Sequence, residues 1–175
     1  MTLETCRIAT PVGPLTLFVR EGALVGVAFE GEDARLAAFL RRTWGAFETR
    51  PAGDPGGHAS RLRAYFAGDL AAFEGAPIDP RGTPFQRKVW QELLRIPAGT
   101  TVAYSDIARR IGAPDAVRAV GAANGANPIP VVIPCHRVVA RDGSLHGYGG
   151  GLDRKRRLLE HEGVTLGPGS RALFA

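Results

Sequence analysis

The run Ile133-Pro134-Cys135-His136-Arg137-Val138-Val139 sets a thiol beside an imidazole and a guanidinium in an otherwise apolar stretch. The thiolate is a strong nucleophile, and imidazole or cationic neighbours favour its formation. These residue types suit covalent attack by Cys135 with His136 as the base. The same run is equally consistent with a buried cysteine acting as a small apolar side chain, with His136 and Arg137 incidental. Neighbouring side chains on a strand point to opposite faces, so contact between Cys135 and His136 needs a bend or a bridging water. Pro134 restricts the preceding backbone and favours an irregular approach to Cys135.

Other residues offer supporting chemistry, each with a plainer alternative. Glu162, at a helix end, can polarise His136 or stand as an ordinary solvated glutamate. Arg118, Gly121, Ala122 and Gly125 recur at i, i+3, i+4 and i+7, one helical face with a single long cation and no other bulk. Such a face can approach a phosphodiester backbone closely, or pack tightly on another helix. Val117 and Val120 supply the inward side. Tyr104, just before Ser105, can donate a hydrogen bond, stack on a base, or staple a helix start. Asn127-Pro128 marks a turn whose asparagine can bond nearby backbone. In Tyr148-Gly149-Gly150-Gly151 bare amides can come close to a ligand. Arg154, Lys155, Arg156 and Arg157 read as a solvated helix face that adds positive field.

These residues need elements to hold them. Leu15, Leu17 and Val19 alternate with Thr16, Phe18 and Arg20, which predicts a strand after the turn Pro11 to Pro14 and an earlier strand near Cys6 to Ala9. A third strand is expected over Ala23 to Phe29. Helices follow near Glu32 to Trp44 and Ala59 to Ala67, with a Gly- and Pro-rich loop from Pro51 to Gly57. Proline, glycine and charge cluster at Pro77 to Gly82, which predicts two domains, 1–80 and 81–175. Thr83-Pro84-Phe85-Gln86 is a capping box with proline at the first helical position. Ser105 is expected to cap a short helix to Ile111, and Pro114 to start another running to about Asn124, together a helix-turn-helix. Strand and loop are expected over 125–151, then a helix from Leu152 to Glu162 ended by Gly163. The fold class is α+β.

The 175 residues are 45% hydrophobic and 22% charged, an ordinary globular balance. No stretch approaches the ~20 apolar residues that span a bilayer, and the N-terminus lacks the pattern of a secretion signal. A membrane partner is not expected. The net charge of +5 favours anionic partners, nucleic acid first. Cys6 and Cys135 alone make no disulfide framework, which points to a reducing, cytoplasmic setting.

Pro134-Cys135-His136-Arg137 with its flanking apolar residues resembles the active-site motif of the O6-alkylguanine-DNA alkyltransferases. Three further blocks match that family in order: Thr83 to Trp90, Tyr104 to Asn127 with Arg118-Ala119-Val120-Gly121, and Tyr148 to Gly163. The N-terminal part resembles it loosely. The resemblance implies a small ribonuclease H-like sheet-and-helix domain followed by a helical, winged-helix-like domain. It implies direct, irreversible, single-turnover transfer of an alkyl group from O6-alkylguanine, and less well O4-alkylthymine, to Cys135. His136 then corresponds to the base that activates Cys135 through a water, Glu162 to the carboxylate that orients it, and Asn127 to a hinge residue. Arg118 corresponds to the arginine that fills the stack when a nucleotide is flipped, and Tyr104 to the donor on the leaving guanine. Ser105, Ala119, Gly121, Ala122 and Gly125 fall on the minor-groove-binding surface. Pro130, Val138, Tyr148 and Gly149 fall in the substrate pocket. The implied partner is double-stranded DNA carrying the lesion, bound by a monomer, with cooperative binding left open.

Such chemistry requires a sulfur that is ionised and open to an extruded nucleotide. No cofactor is expected. Cys6 and His58 are the only cysteine and histidine before residue 130, too few for a four-coordinate zinc site, so no metal is expected. One alternative is a lesion-binding protein without transferase activity, which would lack the cysteine. Another is a cysteine hydrolase using His136 or His161, which would turn over repeatedly. Gly149 stands where the family often has serine, which opens the pocket. Alkyl groups larger than methyl are therefore expected to be tolerated; negligible benzyl transfer, in a comparison of rates on O6-methyl- and O6-benzylguanine, would contradict an open pocket.

Overall fold

The computed structural model describes residues 1–167. Residues 168–175, counted above in the second domain, lie outside the described residues. The chain divides into two compact units, Met1–Gly82 with Pro128–Pro130, and Thr83–Asn127 with the chain from Val131 onward.

In the first unit, β1 (Thr2–Ile8), β2 (Leu15–Arg20) and β3 (Ala23–Phe29) form an antiparallel meander. A fourth strand, β4 (Glu48–Pro51), pairs in parallel with β1, giving the order β3-β2-β1-β4. The sequence placed no strand there. All four β4 residues are exposed and carry no apolar alternation, so only pairing with β1 defines it. Both faces of β2 are covered. Leu15, Leu17 and Val19 are buried, and so is Phe18 on the other side. Phe18 packs with Leu3, Val25 and Ala28 against Leu36 and Leu40 of α1 (Asp33–Trp44). Gly26 lets that helix close on the sheet, since a Cβ there would lie 2.9 Å from a Leu36 methyl. Helix α2 (His58–Phe66) starts on a buried histidine whose Nε2 bonds the Gly22 carbonyl at 3.0 Å. The Cys6 thiol donates to the Gly53 carbonyl at 3.2 Å. Pro128 joins this unit by accepting the Val27 N–H at 2.9 Å.

The second unit opens with α3 (Pro84–Leu93) on the expected box: Thr83 Oγ1 accepts the Gln86 N–H and Gln86 Oε1 accepts the Thr83 N–H. Two short strands, β5 (Val102–Ala103) and β6 (Val138–Val139), pair in parallel. This pairing sets Tyr104, the residue after β5, beside Ala140, the residue after β6. Helices α4 (Tyr104–Arg110) and α5 (Val117–Gly125) form the helix-turn-helix pair, and α6 (Leu152–His161) closes the unit.

Several sequence expectations shift here. Ser105 is not the cap of α4. The helix begins at Tyr104, with Ala103 held extended by β5 and its N–H bonded by the Asp106 carboxylate at 3.0 Å. Pro114 starts a turn rather than α5, because Ala116 leaves helical geometry and regular structure begins at Val117. Val120 is buried as expected, but Val117 is 36% exposed and does not pack inward.

Trp90 ties α3 to α5. Its indole N–H donates to the Ala123 carbonyl at 2.9 Å in the core, where the Asn127 N–H has turned to Asn124 instead. That carbonyl belongs to the last turn of a helix, where carbonyls lose their internal partners. Trp90→Phe keeps most of the buried volume but strips the donor. It should lower stability by about 1–3 kcal/mol in chemical denaturation; a change near zero would show that Ala123 finds another donor.

Candidate active site

Cys135, His136 and Arg137 form one tight 3-10 turn instead of continuing a strand. This is the bend that lets adjacent side chains serve one site. The Cys135 N–H bonds the Ile133 carbonyl and the Arg137 N–H bonds the Pro134 carbonyl. Two asparagines at the end of α5 hold the turn from outside. Asn127 Nδ2 donates to the Ile133 carbonyl at 2.8 Å and to Cys135 Sγ at 3.1 Å, and Asn124 Nδ2 donates to the Cys135 carbonyl at 3.3 Å. Val131, just upstream, sits at φ 74°, a region that β-branched residues avoid. Its backbone is bent at a cost of order 1–3 kcal/mol that the surrounding bonds must offset.

Beneath the turn lies a buried charge cluster. Glu162 is 5% exposed and accepts three hydrogen bonds: from His136 at 2.9 Å, from Arg137 Nε at 2.8 Å and from Arg137 Nη2 at 2.8 Å. Arg137 Nη1 also donates to the Ile96 carbonyl at 2.5 Å. A guanidinium in this two-pronged geometry keeps the carboxylate ionised. His136 therefore donates through Nε2–H, and Nδ1 is its free lone pair, buried and without a protein partner. Burial pushes the imidazole below its ordinary 6.5, against the pull of Glu162. A neutral imidazole with one nitrogen fixed and the other open is the form a base requires.

The expectation of a resting thiolate is corrected. Cys135 is 4% exposed, and burial pushes its thiol above the ordinary value. Asn127, the positive charge of Lys155, and Tyr148 pull the other way without prevailing. The resting group is thus a thiol in polar surroundings, and any attack by this sulfur would first require loss of its proton.

Lys155 corrects a second expectation, since it is not on a solvated face. It is fully buried in α6, and its Nζ donates to the Val138 carbonyl at 2.6 Å and the His146 carbonyl at 2.9 Å. Burial lowers it to about 8, with Cys135 opposing, so it stays cationic at neutral pH. Its ammonium lies 5.9 Å from the centre of the Tyr104 ring. The Tyr104 hydroxyl donates to the His146 carbonyl at 3.3 Å and is pushed up to about 12 by burial and by Cys135. Tyr104 thus keeps its proton at any physiological pH and remains available as a hydrogen-bond donor.

On α5, Arg118, Ala119, Ala122 and Gly125 are exposed, while Val120, Ala123 and Asn124 face the core. Gly121 is half-buried next to Tyr104, whose ring would lie 4.0 Å from an added Cβ. The small-residue face therefore looks outward, and helix packing does not use it up. Ser105 is half-buried, Val138 is buried in β6, Tyr148 is half-buried and Gly149 is exposed. Pro130 lies in the segment grouped with the first unit. Cys6 and His58 are engaged with backbone carbonyls, and no group of three or more metal-binding side chains occurs among the described residues.

From sequence, Arg137 was read only as part of the motif, Lys155 only as part of a solvated face and Asn124 only as a helix end; none was given a role in the site. Lys155 carried a signal: with Leu152, Leu158 and Leu159 it falls on the apolar stripe of α6. Arg137 carried none, because nothing local tells a buried arginine from a solvated one.

Residues 84–164 match the family "6-O-methylguanine DNA methyltransferase, DNA binding domain", and residues 7–80 match "6-O-methylguanine DNA methyltransferase, ribonuclease-like domain". The likeness thus reaches well into the N-terminal part. The chain is 45% identical over 163 residues to a methylated-DNA–protein-cysteine methyltransferase of Shigella flexneri, covering 91% of this chain and 95% of that one. A protein of the same name from Mycobacterium bovis is 47% identical over 170 residues, covering 95% and 96%. Among solved structures, Mycobacterium tuberculosis OGT in complex with DNA superposes with a TM-score of 0.79 at 44% identity, covering 93% and 92% of the two chains. The O6-methylguanine-DNA methyltransferase of Pyrococcus kodakaraensis gives 0.71 at 29% identity, covering 93% and 99%. No described helix is long and apolar enough to cross a membrane.

The buried His136 has a consequence for stability. Between its lowered native value and the ordinary 6.5, the unfolded chain binds a proton that the native chain refuses. Its contribution is complete above pH 6.5 and is lost as pH falls below it. Urea denaturation from pH 7 to pH 5 should show falling stability, and His136→Asn should flatten that slope. An unchanged slope in the variant would contradict a neutral buried imidazole.

Proposed function

This chain belongs to the 6-O-methylguanine DNA methyltransferase family, and from that premise we propose how its residues divide the work of direct DNA repair by alkyl transfer to Cys135. The observation that carries the assignment is the Cys135 sulfur, held by Asn127 in the same tight turn as a neutral imidazole that is itself locked onto a buried, arginine-bound carboxylate.

The substrate is O6-alkylguanine in double-stranded DNA, with O4-alkylthymine a poorer one. The outward face of α5 enters the minor groove, where Ala119, Gly121, Ala122 and Gly125 let the backbones approach. Binding of this kind is largely phosphate-driven, nearly indifferent to sequence and sensitive to salt. A base inside a duplex cannot be reached, so the lesion is swung out at a cost of a few kcal/mol. Arg118 enters the stack and offsets part of that cost, Tyr104 supports the flipped nucleotide and Ser105 contacts the DNA. Val138, Tyr148 and Gly149 receive the base.

In the chemical step, His136 Nδ1 takes the thiol proton through one bridging water. The thiolate attacks the alkyl carbon and a C–S bond forms. The C–O6 bond breaks, and its electron pair goes to the guanine. Tyr104 donates a hydrogen bond to the guanine as that charge develops, the usual form of electrostatic stabilisation at a leaving group. Burial matters twice here. It keeps the thiol protonated until the base acts, and it strengthens every charge interaction once water is displaced. The product is a thioether. Nothing in it can be hydrolysed by this site, so each molecule reacts once and no cofactor is consumed. The first unit serves as scaffold, and the second binds DNA and accepts the alkyl group. The protein acts as a monomer in the cytoplasm, where thiols stay reduced.

Intact-mass measurement after incubation with duplex DNA containing O6-methylguanine tests the assignment. One methyl group should appear on Cys135, with one lesion lost per protein molecule. Cys135→Ala should bind the same DNA and gain nothing. Wild-type protein that binds the lesion without gaining mass would instead be a non-catalytic lesion-binding protein.

A further inference from the structure

Asp142, Ser144 and His146 form a hydrogen-bonded chain that the chemistry above does not use. Ser144 is 3% exposed. Its Oγ lies 2.6 Å from Asp142 Oδ1 and 2.8 Å from His146 Nε2, and its N–H donates to the same Asp142 oxygen at 3.0 Å. Donor accounting fixes the direction of the chain. Asp142 is held below the usual carboxylate value by these two bonds, so it is ionised and can only accept. The single hydroxyl proton of Ser144 therefore goes to Asp142. The remaining bond must run from His146 Nε2–H to Ser144 Oγ.

His146 is thus gripped at both ends. Its ring is tied to Ser144. Its carbonyl accepts from Lys155 Nζ at 2.9 Å and from the Tyr104 hydroxyl at 3.3 Å. The two bonds on that carbonyl are unequal. The ammonium is closer and charged and takes the greater share of the oxygen's electron density. The longer bond leaves the Tyr104 proton directed but loosely held, available to a better acceptor. The turn that carries the chain is itself closed by the Gly143 N–H on Ala140 and the Ala140 N–H on Ser144.

We propose that Ser144 is a positioning residue for alkyl transfer: by clamping the His146 ring to Asp142 it fixes the carbonyl on which the Tyr104 hydroxyl waits. This rests on the assignment of Tyr104 as donor to the leaving guanine. Ser144 touches neither DNA nor the sulfur in this scheme, so its loss is felt in the transfer step alone.

The test is a double-mutant cycle on the single-turnover rate at saturating lesion DNA, with DNA affinity measured alongside. Ser144→Ala should slow transfer roughly three- to tenfold, the range of one net hydrogen bond, and leave the Kd for DNA unchanged. In a Tyr104→Phe background it should slow transfer no further, since the hydroxyl it serves is gone. Asp142 is on the surface, so its variants avoid any folding defect at Ser144. Asp142→Ala should repeat the loss and Asp142→Asn, which keeps an acceptor oxygen, should restore the rate. Full rate in Ser144→Ala and Asp142→Ala, loss confined to DNA affinity, or an equal loss in the Tyr104→Phe background would each overturn the proposal. If Tyr104→Phe alone reacts at the wild-type rate, the role of Tyr104 falls and the proposal with it. A slow Tyr104→Phe combined with additive loss from Ser144→Ala removes the proposal only.

Discussion

Glu162 carries a full negative charge out of contact with water, and the surrounding chain is arranged to make that tolerable. Three donors from Arg137 and His136 meet its oxygens. Removing one partner of a buried pair of this kind typically costs about 3–5 kcal/mol, because the other charge is left stranded. The carboxylate therefore constrains its neighbours. Arg137 must reach back to it, His136 must present Nε2–H to it, and only one imidazole nitrogen remains for chemistry. Both donor residues come from the same turn as Cys135, so the bonds that neutralise the charge also fix the orientation of the imidazole next to the thiol in sequence.

A tension between burial and reactivity follows. A cysteine exposed enough to ionise freely would also be open to oxidation and to adventitious electrophiles. Cys135 is instead kept as a thiol by burial, with polar groups placed so that ionisation is within reach. Asn127 donates to the sulfur, Lys155 contributes charge through space, and His136 is held neutral with Nδ1 unpartnered. Lys155 also explains how a charged side chain can be enclosed in α6, since two backbone carbonyls replace its water. One of those carbonyls is shared with Tyr104, so the groups that tune the sulfur and the group that would meet the leaving base are mechanically joined.

The small-residue face of α5 follows a different rule. Its small residues on α5 are exposed, with Arg118 the long side chain among them. Helix faces of glycine and alanine often serve close helix packing, and from sequence that use could not be separated from contact with a nucleic acid. Here the inward side of α5 is occupied by Val120, Ala123 and Asn124, and the small face is left to solvent. Asn124 and Asn127 then link the end of this helix to the nucleophile turn through hydrogen bonds to the Cys135 carbonyl and sulfur.

Elements whose stability is local were legible in the sequence. The Thr83 box, the alternation of β2, the span of β3 and the end of α6 at Gly163 all depend on spacings within a few residues. The nucleophile motif was legible for the same reason, as was its resemblance to one family. What the sequence could not decide depends on partners distant in the chain. β4 exists only because β1 pairs with it, and α4 is capped by Asp106 rather than Ser105 because β5 sets where the helix begins. The same is true of charge. Whether Cys135 is a thiol or a thiolate, and whether Arg137 and Lys155 are solvated or enclosed, turns on how much water remains once distant segments have packed. Residue types and their order thus determined which chemistry was available. Only the tertiary structure determined the protonation states and hydrogen-bond partners through which it can act, since desolvation is a property of the packed whole.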